Sequence, residues 1–308
     1  MTSDHIVTLD AVTKRYGAVT AVDQLSMSIA RGEMFGLIGP DGAGKTTTIR
    51  LMCGLLRADA GRVEVLGVDP VRAHRTLTDS VGYLSQHFSL YGDLSIDENV
   101  AFFAEIHGVR DYVTRRDRLL EMTQLTPFRG RLADRLSGGM KQKLALVCTL
   151  VHEPKLIILD EPTTGVDPIS RREFWKLLSE FLSQGLTVIL STPYLDEAER
   201  CSRVALLHEG HLLALDRPAA LRAAAGGGFY EVIVDDFRKA VGVLTQVPGV
   251  TSVHLFGERA HVRVEGADPV TATGRLTAAL LAAGLTVASL REIAPALEDV
   301  FIARTHAG

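Results

Sequence analysis

Cysteine is scarce in this 308-residue sequence. Cys53, Cys148 and Cys201 lie far apart and form neither a CxxC pair nor a Cys/His spacing of the kind that holds a metal. A disulfide framework and a zinc site are therefore excluded as organising features, and each thiol is expected to be a buried small hydrophobe in a reduced, cytosolic protein. A basic excess is missing too: 33 Lys and Arg against 37 Asp and Glu leave a formal net charge of -4. Nucleic-acid binders are usually basic, so no nucleic-acid partner is expected. No stretch approaches 18 consecutive apolar residues, and the strongest runs, 144–151 (LALVCTLV) and 156–159 (LIIL), are core-sized, so the chain is not expected to span a membrane. The opening MTSDHIVTLD has no basic region followed by an apolar one, so no signal peptide is expected. What remains, 46% apolar and 23% charged residues, is the profile of a soluble globular protein with room for one large domain and a smaller one.

Chemistry first shows in MFGLIGPDGAGKTTTIR. Gly39-Pro40-Asp41-Gly42-Ala43-Gly44-Lys45-Thr46-Thr47 satisfies the P-loop pattern G-x4-G-K-[ST]. It follows an apolar run, 34–38, that reads as a buried strand, and it precedes a helical pattern. Glycines let the backbone turn tightly and present N–H groups to a polyphosphate, while the new helix points its positive end at the same anion. Lys45 is expected to reach the β- and γ-phosphates and Thr46 to ligate Mg²⁺. About 115 residues later an apolar strand ends in Asp160 and Glu161. A carboxylate at that end of a strand suits the water shell of Mg²⁺, the role expected of Asp160. Glu161 is expected to point elsewhere by strand alternation, placed to polarise an attacking water.

RLSGGMKQKLAL supplies a second anion-binding pattern. Ser137 reads as a helix cap, Gly138 and Gly139 offer free N–H groups, and Met140 opens a helix. One chain thus carries two anion sites, with no obvious way for the second to fold back on the first.

These motifs together resemble the ATP-binding subunits of ABC transporters, over roughly residues 6–221. The resemblance implies a fold: an α/β P-loop ATPase with a RecA-like parallel sheet core, an antiparallel β subdomain and a helical signature subdomain at about 93–145. It also implies roles. Tyr16 matches the aromatic that stacks on adenine, Gln86 the glutamine that contacts Mg²⁺ and senses the membrane partner, and Asp167 the aspartate that communicates across a dimer. Ser137-Gly138-Gly139-Met140 matches the signature that touches the ATP of a partner chain, with Met140 where glutamine is commoner. GPDGAGKTT, LSGGMKQKLAL and GVDPISRREFW look closest to the ABC-2-type subfamily that exports drugs, polyketides or polymers, and within it to the first ATPase half of tandem-ATPase components.

By that resemblance two such subunits sandwich two ATP molecules on the cytoplasmic face of a membrane, and closure pulls on permease subunits. One position departs. In STPYLDEAER the family's γ-phosphate histidine falls on Pro193, which has no donor. The chain's own site is therefore expected to bind Mg-ATP and turn it over slowly. Either it drives transport itself, or it acts as an ATP-gated clamp beside an intact second ATPase; whether that second subunit is identical or different stays open.

The tail reads as a separate module. Residues 1–222 form the ATPase domain, 223–228 a glycine-rich linker within RAAAGGGF, and 229–308 a C-terminal domain for regulation, dimer contact or simple capping. FYEVIV, DDFRKAVGVLTQVPGV, TSVHLF, AHVRVEG, ADPVTATGRLTAALLAAGL and TVASLREI alternate as βαββαβ, the order of a ferredoxin-like domain. PALEDVFIART resembles the subfamily's short terminal helix. His254 and His261 have no partners at metal spacing and read as surface or core histidines.

Overall fold

A computed structural model describes residues 5–86 and 90–305. The chain divides into two compact units, Met1–Arg217 and Pro218–Gly308.

In the first unit, β1 (His5–Tyr16) turns at Gly17 into the antiparallel β2 (Val19–Ala30), and β3 (Met34–Ile38) follows. Next come α1 (Lys45–Met52), β4 (Ala60–Val65), α2 (His74–Thr78) and β5 (Val81–Leu84). Three helices, α3 (Ile96–Ile106), α4 (Val113–Met122) and α5 (Gly138–Leu150), lead to β6 (Leu156–Asp160). The unit closes with α6 (Pro168–Ser183), β7 (Thr187–Thr192), α7 (Leu195–Ala198), β8 (Arg203–His208) and β9 (His211–Asp216).

Strands β2, β1 and β4 make an antiparallel three-stranded sheet. The main sheet runs β5-β6-β7-β3-β8-β9, parallel throughout except for β9 at its edge. Its central strands are buried at every position, because helices cover both faces of a parallel sheet and leave no strand residue for water. All the parallel strands end at one edge, and the phosphate-loop and carboxylate motifs both fall there.

The helical segment expected at 93–145 extends further. Ser95 caps α3 in a reciprocal box with Glu98, and α5 runs on to Leu150 because Leu144–Leu150 is buried. The ends of α3 and α5 meet through stacked rings of His107 and His152, with centroids 3.8 Å apart. Burial, reinforced by His107, pushes the His152 pKa down to about 4, while nearby Asp79 works in the opposite sense and Arg115 in the same one. The unfolded chain takes up this proton at about pH 6.5 and the folded chain resists it. Stability is therefore present above that pH and lost as pH falls toward 4. Discounted for partial exposure, the loss amounts to about 1–2 kcal/mol. His152→Phe, which keeps the stack, is expected to remove that share of the difference between urea midpoints at pH 7 and pH 4.5.

The second unit begins earlier than the residue-222 boundary read from sequence. Helix α8 (Pro218–Ala223) belongs to it and contacts the terminal helix α11 (Leu297–Thr305). Between them lie β10 (Gly228–Val234), α9 (Phe237–Leu244), β11 (Val250–Phe256), β12 (Arg259–Val264), α10 (Pro269–Ala282) and β13 (Val287–Ile293). The element order is βαββαβ, and the sheet is antiparallel in the order β11-β12-β10-β13. Tyr230, Val232 and Val234 alternate onto the face that packs with Ala240 and Leu244 of α9 and Leu276 and Leu280 of α10. On the other face Glu231 is clasped by Arg291 (3.0 Å) and Arg259 (2.9 Å) from its two neighbouring strands, and those guanidinium bonds hold its carboxyl below the usual range. His261 Nδ1 lies 3.0 Å from the buried Asp299, which also accepts the Ala296 N–H at 2.8 Å, so this histidine pins α11.

The three cysteines are free and buried, and desolvation pushes the Cys53 and Cys201 thiols up to about 12. Among the described residues no helix is long and apolar enough to cross a membrane, and no cluster of His, Cys, Asp or Glu forms a metal cage.

Candidate functional site

Four strand ends build the site. β3 leaves the sheet at Ile38 and passes through residues 39–44 into α1. Gly39 has no room for a side chain: a Cβ there would meet the Leu207 carbonyl and the Ala43 Cβ. Gly44 sits at φ 97°, a left-handed conformation, and packs against the Ala21 carbonyl. The start of α1 has no side-chain cap and no acidic residue in its first turn, which leaves its N–H groups and positive end to a ligand. Lys45 is 4% exposed and folds back along the loop, donating to the carbonyls of Gly39 (2.8 Å) and Pro40 (2.9 Å).

β6 delivers Asp160, 1% exposed, beside the first turn of α1. Asp160 Oδ1 accepts from Thr46 Oγ1 at 3.2 Å and from Ser191 Oγ at 2.6 Å, Ser191 being its register partner on β7. Glu161 takes partners different from those of Asp160, and strand alternation does not set its place. The strand ends at Asp160, and Glu161 is in a left-handed turn at φ 49°. That turn is held by the Glu161 N–H donating to Ser191 Oγ at 2.9 Å. Its carboxylate ion-pairs with Lys45 at 3.3 Å and accepts from Gln86 Nε2 at 3.0 Å and Thr164 Oγ1 at 3.3 Å. Gln86 lies two residues beyond β5. Lys45, Thr46, Gln86, Asp160 and Glu161, drawn from three segments up to 116 residues apart in sequence, thus form one hydrogen-bonded cluster at one sheet edge.

A cavity of about 630 Å³ opens over this cluster, lined by Tyr16, the loop from Asp41 to Thr47, Gln86 and Glu161. Val19, Thr20, Ala21 and Glu209 also line it. Sequence reading passed over these four, which carry no motif. Tyr16 is half exposed at the mouth. The signature residues do not line this cavity. Ser137 caps α5, accepting from Met140 N at 3.3 Å, and a Cβ on Gly139 would collide with Ser170 of α6. Asp167 caps α6, accepting from Ser170 N (3.0 Å) and Ile169 N (3.1 Å), which holds its carboxyl below the usual range. The structure therefore joins the signature to the Asp167 turn and keeps both apart from the P-loop. Pro193 lies between β7 and α7, half-buried, and does not line the cavity.

The donors fit a magnesium nucleotide. Mg²⁺ takes hard oxygen ligands and keeps several waters, so one hydroxyl and one or two carboxylates beside a phosphate site suffice. Thr46 and Asp160 supply them.

Fold and site together define a P-loop α/β protein. The family model for ABC transporters matches residues 22–164. The chain is 35% identical over 303 residues, 97% of its length and 96% of the relative's, to the daunorubicin resistance ATP-binding protein DrrA3 of Streptomyces coeruleorubidus. It is 47% identical over 229 residues to the probable multidrug ABC transporter ATP-binding protein YbhF of Escherichia coli; that match takes in 73% of the chain but spans only 40% of the relative. A solved ATP-binding subunit of an ABC transporter superposes with a TM-score of 0.65 at 30% identity, covering 71% of this chain and 92% of that one. The chain belongs to the ABC transporter family, among its ATP-binding proteins.

Proposed function

We propose that this chain is an ATP-hydrolysing subunit of an ABC-2-type exporter, acting peripherally at the cytoplasmic face of the membrane. The observation that carries the reading is the cluster of Lys45, Thr46, Glu161 and Gln86 lining one cavity, with the buried Asp160 bonded to Thr46 behind it. The adenine stacks on Tyr16, and the phosphates lie on the loop amides and the start of α1. Lys45 turns from Glu161 to the phosphates, and Glu161 is freed to orient and deprotonate a water. Thr46 and Asp160, with Gln86, would hold Mg²⁺, which would neutralise charge on the phosphate oxygens. Ser137 to Met140 of one chain face the ATP of a second, with Asp167 at the contact. This agrees with a signature that does not reach its own P-loop cavity. Exporter membership is supported by relatives named for daunorubicin resistance and multidrug transport. The permease partners and the C-terminal unit's role in regulation or dimer contact belong to the same proposal.

Pro193 favours a second reading, in which the chain is an ATP-gated clamp paired with an intact ATPase. Lys45→Ala tests what both readings share. Losing one buried charged donor to phosphate is expected to cost about 1.5–3 kcal/mol, a roughly 10- to 100-fold weaker affinity for a fluorescent ATP analogue with Mg²⁺. Unchanged affinity in a folded variant would refute nucleotide binding at this loop.

A further inference from the structure

Glu197, in α7, is 1% exposed and does not line the cavity, and neither do its side-chain hydrogen-bond donors. Its Oε1 accepts from Thr163 Oγ1 at 2.6 Å, from Arg171 Nη2 at 2.7 Å and from Trp175 Nε1 at 3.2 Å. Its Oε2 accepts from Thr192 Oγ1 at 2.7 Å. The donors come from three places. Thr163 lies in the turn that begins at Glu161. Arg171 and Trp175 lie in the first turns of α6, the helix that Asp167 caps. Thr192 ends β7 immediately before Pro193, and its carbonyl accepts the Gly39 N–H at 3.4 Å.

The Pro193 loop is gripped from its other side as well. Thr192 Oγ1 accepts the Tyr194 N–H at 3.1 Å, and the Arg171 guanidinium lies 4.6 Å from the Tyr194 ring centre. A buried carboxylate with this many donors is costly to bury and rigid once satisfied. This one ties together the turn that follows β6, the end of β7 and the helix that Asp167 caps.

We propose that Glu197 is a positioning residue for hydrolysis: through Thr163, Thr192 and Arg171 it sets the Glu161 turn and the Pro193 loop against α6, so that the Asp167 turn, Glu161 and the end of β7 move as one piece. The proposal rests on the ATP-hydrolysing reading above. Glu197→Gln keeps the shape and removes the charge that holds Arg171. With Mg-ATP it lowers kcat about tenfold while KM and ATP affinity stay within about threefold. Arg171→Gln lowers kcat similarly, and the double variant falls no further than the lower single one, because the two act through one network.

Hydrogen exchange on the nucleotide-free full chain gives a readout that does not need turnover. In Glu197→Gln the amides of Glu161, Thr164 and Tyr194 exchange at least tenfold faster, while those of α10 are unchanged. If exchange rises equally in all of them, or not at all at Glu161 and Tyr194, Glu197 is a stability residue and the proposal is overturned. A kcat that holds while the melting temperature drops overturns it too. A wild-type chain that neither binds nor turns over ATP would instead count against the ATPase reading, and exchange would still decide the role of Glu197.

Discussion

Glu161→Gln is expected to lower phosphate release from Mg-ATP by about 10²–10⁴-fold, the usual contribution of a positioned general base. Glutamine has the same length and keeps an oxygen to accept from Gln86 and Thr164, but it cannot take a proton from water. The backbone around it does not depend on the carboxylate, because the turn is held by the Glu161 N–H on Ser191 Oγ. Lys45 loses an ion-pair partner but keeps its bonds to the Gly39 and Pro40 carbonyls, so the loop stays formed. ATP affinity should therefore hold, or tighten slightly because Glu161 no longer competes for Lys45. The assay is phosphate release beside equilibrium binding, wild type against variant. Lost turnover with retained binding makes Glu161 the base. Wild-type turnover that persists in the variant removes it from that role. A wild type no faster than the variant, with both binding ATP, describes the clamp.

The P-loop, the carboxylate strand and the signature helix were legible because each is a local pattern: a strand, a turn of fixed spacing and a helix start within about fifteen residues. The βαββαβ order of the second unit was legible for a related reason, since periods of two and of 3.6 residues alternate cleanly there. Features fixed by distant partners were not. The direction of Glu161 depends on a left-handed turn that Ser191, on another strand, holds in place. Glu197 carries no motif, and its donors on α6, on β7 and in the Glu161 turn are distant in sequence or set by the fold. The domain boundary shifted for the same reason. The small-residue run at 222–229 marks a break in the chain, but whether α8 belongs before or after it is decided by contacts with α11, some 80 residues away. His261 looked inert until the fold brought Asp299 beside it.

Pro193→His is expected to raise turnover about 10- to 100-fold, the counterpart of one charge-assisted contact worth about 1.5–3 kcal/mol in the transition state. The loop can accept the change. Proline donates nothing from its backbone here, and the flanking anchors, Thr192 Oγ1 to Glu197 and Tyr194 N to Thr192, involve neighbours only. Losing proline's restriction of the unfolded chain costs about 0.4–1 kcal/mol of stability, which a melting curve separates from the rate effect. The size of the gain also distinguishes the assemblies. In a pair of identical chains both sites lack the donor, both gain it, and the full factor appears in phosphate release. Beside a different ATPase whose own site already turns over at full rate, repairing this chain's site adds at most one more working site, and the observed rate no more than doubles. No gain in either setting would mean that the step Pro193 was expected to slow does not limit the cycle, and that Glu161, Gln86 and Lys45 suffice without a donor at the end of β7.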